Sequence, residues 1–302
     1  MKAVDKIWMD GKMVDWADAK VHVLNQGLHY GSAVFEGMRC YKTKNGPAVF
    51  RLDEHIRRLF YSAGCLGIKI PFALKQLKEA TLELIKANKV DECYIRPIVF
   101  CGYGKMDLDI SGSAINVAIA LWPWTPLFGD WKSSISIKIS KYRRLSRESV
   151  PIDAKASGFY VNSSVALQDA KKHGADEALL LDEDGYVAEG PGENIFIVKN
   201  SKIYTPSLGA ILPGITRNSI IRIAEDMRIS VVEKKITVKE LEKADEAFFT
   251  GTAVEVCPIG KIDGKYMSKG IAGKYTLMLA KKYGEIVRGE DRKYYKWLNF
   301  IK

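Results

Sequence analysis

The stretch WPWTPLFGDWKSS, residues 122–134, breaks this chain in two. It holds two prolines, three tryptophans and a Phe-Gly pair, and no apolar period runs through it. Proline lacks an N–H and bars the residue before it from helix, so neither a helix nor a central strand continues across this stretch. The chain has 302 residues, enough for two domains of ordinary size. A smaller N-terminal α/β domain is therefore expected over residues 1–121, a connecting loop over 122–134, and a larger domain over 135–302.

On either side of the break, short strands and helices follow one another. IWMDGKMV reads as a hairpin turning at Asp-Gly. RLDEHIRRLFYSAGC reads as a helix with Asp53 as its N-cap and Gly64 near its end. FALKQLKEATLELIKANK repeats apolar residues at helical spacing, and ECYIRPIVFCGYG and AINVAIALW read as strands. After the break, SISIKIS alternates strictly, as a strand does. A helix over roughly 160–172, a hairpin in EALLLDEDGYVAEG, a strand in NIFIVK, a helix from Thr216, and strands at VVEKK and DEAFFTG follow. This order lacks regular βαβ spacing, which predicts an α+β fold instead of a doubly wound sheet.

Composition removes several function classes. The hydrophobic fraction of 47% and charged fraction of 27% are those of a globular chain. No apolar run approaches the roughly 20 residues of a membrane span, and the start MKAVDKIWMDG has no signal-peptide core, so a cytoplasmic protein without membrane contact is expected. The five cysteines are odd in number and lack CxxC spacing, which reads as buried thiols in a reducing compartment. The net charge of +10 is spread along the chain among 36 acidic residues and carries no nucleic-acid motif. It suits small anionic substrates better.

Against that background one lysine stands out. In PIDAKASGFY, Lys155 lies between alanines, after a proline and before a Ser-Gly turn, as a strand end or loop would present one amine at a fixed point. An ordinary surface lysine is the commoner meaning of such a residue. Schiff-base chemistry is the alternative, and it needs companions. AEGPGENIF, residues 188–196, offers Glu189 and Glu193 around a glycine-proline turn. They fit paired acids, metal ligands, or a carboxylate holding a protonated pyridine nitrogen; no histidine nearby completes a metal site. LPGITRNSII, residues 212–221, places backbone N–H groups and the Thr216 hydroxyl at a helix start, a phosphate-binding geometry. TGTAVE, residues 250–255, ends a strand in small and hydroxyl residues. Arg58 lies three residues from His55 on one helix face and fits either a phosphate grip or a surface ion pair. An amine, a pyridinium-holding carboxylate and a phosphate cup together fit pyridoxal 5'-phosphate.

At this level the chain resembles the fold-type IV pyridoxal-phosphate enzymes, and closely the branched-chain amino acid aminotransferases. The likeness lies in HYGSAVFEGMR (29–39), EHIRRL (54–59), YIRP (94–97), WPW with Gly129, AKASGFY (154–160), EGPGEN, LPGITR and GTAVE, in the family's order. It implies a two-domain α+β fold with the active site between the domains, pyridoxal phosphate as cofactor, and no metal. Lys155 resembles the catalytic Schiff-base lysine, and Glu189 the partner of the pyridine nitrogen. Arg58, Ile215, Thr216 and Thr252 match phosphate ligands, and Tyr160 the neighbour of the phenolic oxygen. Phe35, Gly37, Tyr94, Arg96, Trp124, Tyr160, Thr252 and Ala253 match substrate-pocket positions. Tyr30 matches a residue that reaches a neighbouring subunit's pocket, implying a homodimer or larger homo-oligomer. Glu193 matches a supporting residue.

Two positions depart from the pattern: Leu127 stands where many bacterial relatives carry tyrosine, and Arg147 replaces a proline between Arg144 and the lysine segment. The implied reaction moves the amino group of leucine, isoleucine or valine to 2-oxoglutarate by a ping-pong route. The neighbouring possibilities within the fold are a D-amino acid transaminase, an R-selective amine transaminase and an aminodeoxychorismate lyase.

Overall fold

A computed structural model of the chain describes residues 3–124 and 133–301. Leu127, and most of the tryptophan-rich connection, lie outside the described residues. The chain forms two compact units: Met1–Thr125 with Ala154–Gly158 and Ile286–Lys302, and Pro126–Asp153 with Phe159–Glu285. This corrects a single division around 122–134. The segment carrying Lys155 and the C-terminal residues return to the first unit because pairing holds them there. Ala156 bridges Val34, and Leu298, Asn299 and Phe300 pair with Phe50, Val49 and Ala48. Local periodicity carries no trace of such distant pairing.

The first unit is built on a mostly antiparallel sheet. Its strands are β1 (Lys6–Met9), β2 (Lys12–Asp15), β3 (Ala33–Phe35), β4 (Met38–Thr43), β5 (Gly46–Phe50), β6 (Cys93–Cys101) and β7 (Ile115–Trp122), with the C-terminal strand Leu298–Phe300 beside β5. The expected hairpin is β1–β2, with Asp10 and Gly11 both at positive φ (48° and 90°), the backbone pair that matches strand twist. Three helices belong here: α1 (Gln26–Tyr30), α2 (Leu52–Cys65) and α3 (Leu74–Asn88). Asp53 is not the N-cap of α2. Arg51 holds that position with φ 51°, and Asp53 lies in the first turn, where a carboxylate still favours the helix dipole. The apolar face of α2 sends Leu52, Ile56 and Leu59 fully into the core.

The second unit contains β8 (Ile135–Arg143), β9 (Glu177–Leu181), β10 (Val187–Glu189), β11 (Asn194–Lys199), β12 (Lys202–Thr205), β13 (Val231–Glu233), β14 (Glu246–Gly251), β15 (Glu255–Ile262) and β16 (Lys265–Tyr266). Pairing runs β10-β9-β8-β15-β14-β11, and β10 pairs again with β11, so these strands close on themselves as a barrel. Closure removes exposed sheet edges. The interior is filled by Ile137, Leu179, Ile195, Ile197, Phe249, Cys257 and Ile259, all nearly inaccessible. Outside, α4 (Tyr160–Lys172) packs Ala166 and Ala170 against Ala178 and Leu180 in a second buried cluster. α5 (Ile215–Asp226) starts one residue before the expected Thr216, and α6 (Val238–Glu242) is short. A last helix, α7 (Lys274–Val287), has no counterpart in the sequence-based expectations.

Candidate active site

In the first unit, Lys155 occupies a loop and not a strand. Its main chain is fixed on both sides: its N–H donates to Ser62 Oγ (2.9 Å) and its carbonyl accepts from Phe35 N (3.1 Å). Ala154 and Ala156 are 2% and 1% exposed, so the flanking positions have no room for larger side chains. The Lys155 ammonium lies 4.9 Å from the centre of the Phe35 ring.

Around Phe35 the first unit forms a cationic, aromatic box. Tyr94 and Arg96 share one face of β6, and Tyr94 is in register with Trp122 on β7. Tyr94 stacks on Trp122 at 5.0 Å and meets Trp124 at 5.1 Å. The Arg96 guanidinium sits 4.7 Å over Phe35 and 5.4 Å over Tyr94, and donates to Tyr94 Oη at 3.3 Å. A Cβ on Gly37 would overlap the Tyr94 hydroxyl, so glycine is needed there for Tyr94 to stand where it does. Among the described residues, Arg96 Nε and Trp124 Nε1 are buried donors with no acceptor. Buried unpaired donors are costly, and at a site they point to a ligand oxygen. Trp122 escapes a reading of the sequence alone, although its place opposite Tyr94 follows once β6 and β7 are paired.

Arg58 is neither an exposed ion pair nor an isolated cation. Its Nε and Nη2 grip Glu36 at 2.5 and 2.9 Å, and His55 Nδ1 meets the same carboxylate at 2.7 Å. Glu36 is fully buried, yet the Arg58 guanidinium and the His55 ring hold its carboxyl pKa well below the ordinary carboxylate range. Burial lowers the His55 pKa, which favours the neutral ring. Tyr30 ends α1 and is exposed.

In the second unit, Glu189 lies on the barrel's closing strand and is 5% exposed. Arg144 Nε donates to its Oε1 at 2.6 Å; Asn194 Nδ2 and Leu212 N donate to Oε2 at 3.1 and 3.0 Å. Asn194 also donates to Leu212 O, and a Cβ on Gly214 would overlap its side-chain oxygen. The carboxylate and the start of α5 are thereby tied together through Asn194 and Leu212. Gly214 caps α5 in an extended conformation, and Ile215 and Thr216 behind it are buried. Thr252 and Ala253 form the turn between β14 and β15, both half-buried, and Tyr160 opens α4. Glu193 turns its carboxylate back onto Gly192 N (3.0 Å), which braces the glycine-proline turn. Arg147, the departure in the preceding loop, pairs with Asp153 at 3.3 Å.

An amine beside an aromatic box, a carboxylate with three donors and a helix start suited to an anion are the parts of a group-transfer enzyme. The amino-transferase class IV family model matches residues 33–262, and the chain belongs to that family. It is 45% identical over 298 residues to the branched-chain-amino-acid aminotransferase of Pseudomonas aeruginosa, covering 98% of this chain and 97% of that one. The Escherichia coli K12 enzyme of the same name is 38% identical over 304 residues, covering 99% and 98%. Among solved structures, the T.th. branched-chain amino acid aminotransferase with pyridoxamine 5'-phosphate superposes with a TM-score of 0.97 at 42% identity, over the whole of both chains. The Thermoproteus uzoniensis enzyme with norvaline gives 0.95 at 40% identity, over 99% of this chain and 100% of that one.

Proposed function

We propose that this chain is a pyridoxal-phosphate-dependent branched-chain L-amino acid aminotransferase, passing the amino group of leucine, isoleucine or valine to 2-oxoglutarate. The observation that carries the reading is the box around Phe35, where the Lys155 amine and two unpaired buried donors face apolar walls. The residues present suit the cofactor: a carboxylate for a ring nitrogen, a helix start for a phosphate, and an amine on a short, fixed main chain.

Bound pyridoxal phosphate supplies an aldehyde that combines with amines and a ring that draws electrons from the substrate's α-carbon. Lys155 would anchor it through Nζ, and the same Nζ would take the substrate's α-proton and later give it back. Glu189 would hold the proton on the pyridine nitrogen, with Arg144, Asn194 and Leu212 N keeping the carboxylate in place. Ile215, Thr216, Thr252 and Arg58 hold the phosphate, and Tyr160 the phenolic oxygen. Thr252 and Ala253 receive the α-carboxylate. Phe35, Gly37, Tyr94 and Trp124 wall the side chain. Arg96, over the Phe35 and Tyr94 rings, would meet the distal carboxylate of glutamate, with Tyr30 of the partner subunit.

The working form is a homodimer in the cytoplasm. Val21, Val23, Leu24, Leu28 and Tyr30 are exposed together with Tyr103 and Leu108, and Asn25 bridges Tyr103, so these residues form one apolar surface suited to a second copy. The free cysteines fit a reducing compartment. A donor series with 2-oxoglutarate tests the reading: leucine, isoleucine and valine should be the preferred donors, and turnover of D-alanine in their place would contradict it.

A further inference from the structure

Glu36 and His55 lie inside two of the sequence motifs, yet the reaction described above gives them no task. Both are almost completely buried, at 0% and 2% exposure, and the Glu36 carboxylate joins the two α2 side chains His55 and Arg58. The Glu36 carboxylate is saturated. Oε1 accepts from Arg58 Nε at 2.5 Å, and Oε2 accepts from Arg58 Nη2 (2.9 Å), His55 Nδ1 (2.7 Å) and Gly37 N (3.2 Å). Its backbone N–H donates to Pro97 O at 2.9 Å, so the main chain that carries it is fixed as well.

A bidentate carboxylate fixes the plane of a guanidinium as well as its position. An arginine without such a partner samples many rotamers, and ordering it on binding costs affinity. The fork takes up Nε and one edge of Nη2 and so decides which remaining N–H groups Arg58 can offer. His55 approaches the carboxylate from the same helix, one turn before Arg58, and limits its rotation.

We propose that Glu36, steadied by His55, is the positioning residue that aims the Arg58 guanidinium at the cofactor's phosphate. This rests on the reading that Arg58 binds that phosphate. The alternative is that Glu36 only offsets the charge of Arg58. The two differ in sign. Losing a positioning partner weakens phosphate binding, whereas losing a mere counter-charge strengthens it.

The test compares pyridoxal phosphate with pyridoxal, which lacks the phosphate, by titrating each into the full-length chain freed of cofactor. Wild type, Glu36→Gln, His55→Gln and Arg58→Ala are measured side by side. Glu36→Gln should lower affinity for pyridoxal phosphate by about tenfold or more, in line with losing a charge-assisted pair, and leave pyridoxal binding within about twofold. His55→Gln should shift the same ratio by less, and it keeps the test open if Glu36→Gln does not fold. Arg58→Ala should shift it by at least as much as Glu36→Gln. A tighter complex of Glu36→Gln with pyridoxal phosphate, or an equal loss for both ligands, would overturn the positioning role. An unchanged ratio in Arg58→Ala would instead remove the phosphate reading on which it rests.

Discussion

At the scale of single residues, the site depends on side chains whose neighbours come from far along the chain. Glu189→Gln keeps acceptors for Asn194 and Leu212 N but removes the charge facing Arg144. The step that moves the α-proton should slow by about a hundredfold or more in single-turnover measurements, with substrate binding changed far less. A near-normal rate would assign this work to another carboxylate. Gly37→Ala forces a methyl group into the Tyr94 hydroxyl. Overpacking of this kind costs about 1–3 kcal/mol, so KM for branched-chain donors should rise while the cofactor spectrum stays unchanged. Lys155 and Glu189 are legible in the sequence as candidates, because small residues and tight turns surround them. Arg144 as the partner of Glu189, and Glu36 as the partner of Arg58, are not, since separations of 45 and 22 positions leave no local pattern.

At the scale of elements, most of the repeating structure is readable from its period. Strict alternation marks β8, and α4 occupies the residues expected for it, 160–172. The start of α2 is misleading because Asp53 looks like a capping residue, while Arg51 takes up a left-handed conformation that sequence does not announce. The start of α5 is tied to the Glu189 carboxylate through Asn194 and Leu212. Gly214→Ala would drive a Cβ into the Asn194 side chain, which holds both Glu189 and Leu212. The expected outcome is a loss of cofactor affinity of about tenfold, corresponding to roughly 1–2 kcal/mol, with helix content by circular dichroism unchanged. Unaltered cofactor affinity in a folded Gly214→Ala would separate this helix start from the site.

At the scale of the whole molecule, the return of the Lys155 segment to the first unit and the closing of the barrel are beyond reach of the sequence, because both need contacts between distant segments, Val34 with Ala156 and β8 with β15. The buried carboxylates also set the response to pH. Burial pushes Glu177, on β9, up to about 7, so its contribution is complete below its unfolded value near 4.5 and is lost as pH rises through 7. Glu36 is shifted downward, so its contribution is present above that unfolded value and is lost as pH falls. The two together predict a maximum of thermal stability near pH 4.5, with a decline on the alkaline side as Glu177 ionises and on the acid side as Glu36 protonates. Glu177→Gln should flatten the alkaline side, a difference of up to about 3 kcal/mol; a profile unchanged by that substitution would contradict the assignment. The claim on which everything else stands is that Lys155 carries the cofactor. Borohydride reduction of the holoenzyme, followed by digestion and mass spectrometry, should find the phosphopyridoxyl group on Lys155 and on no other lysine. Its recovery on a different lysine would contradict the account.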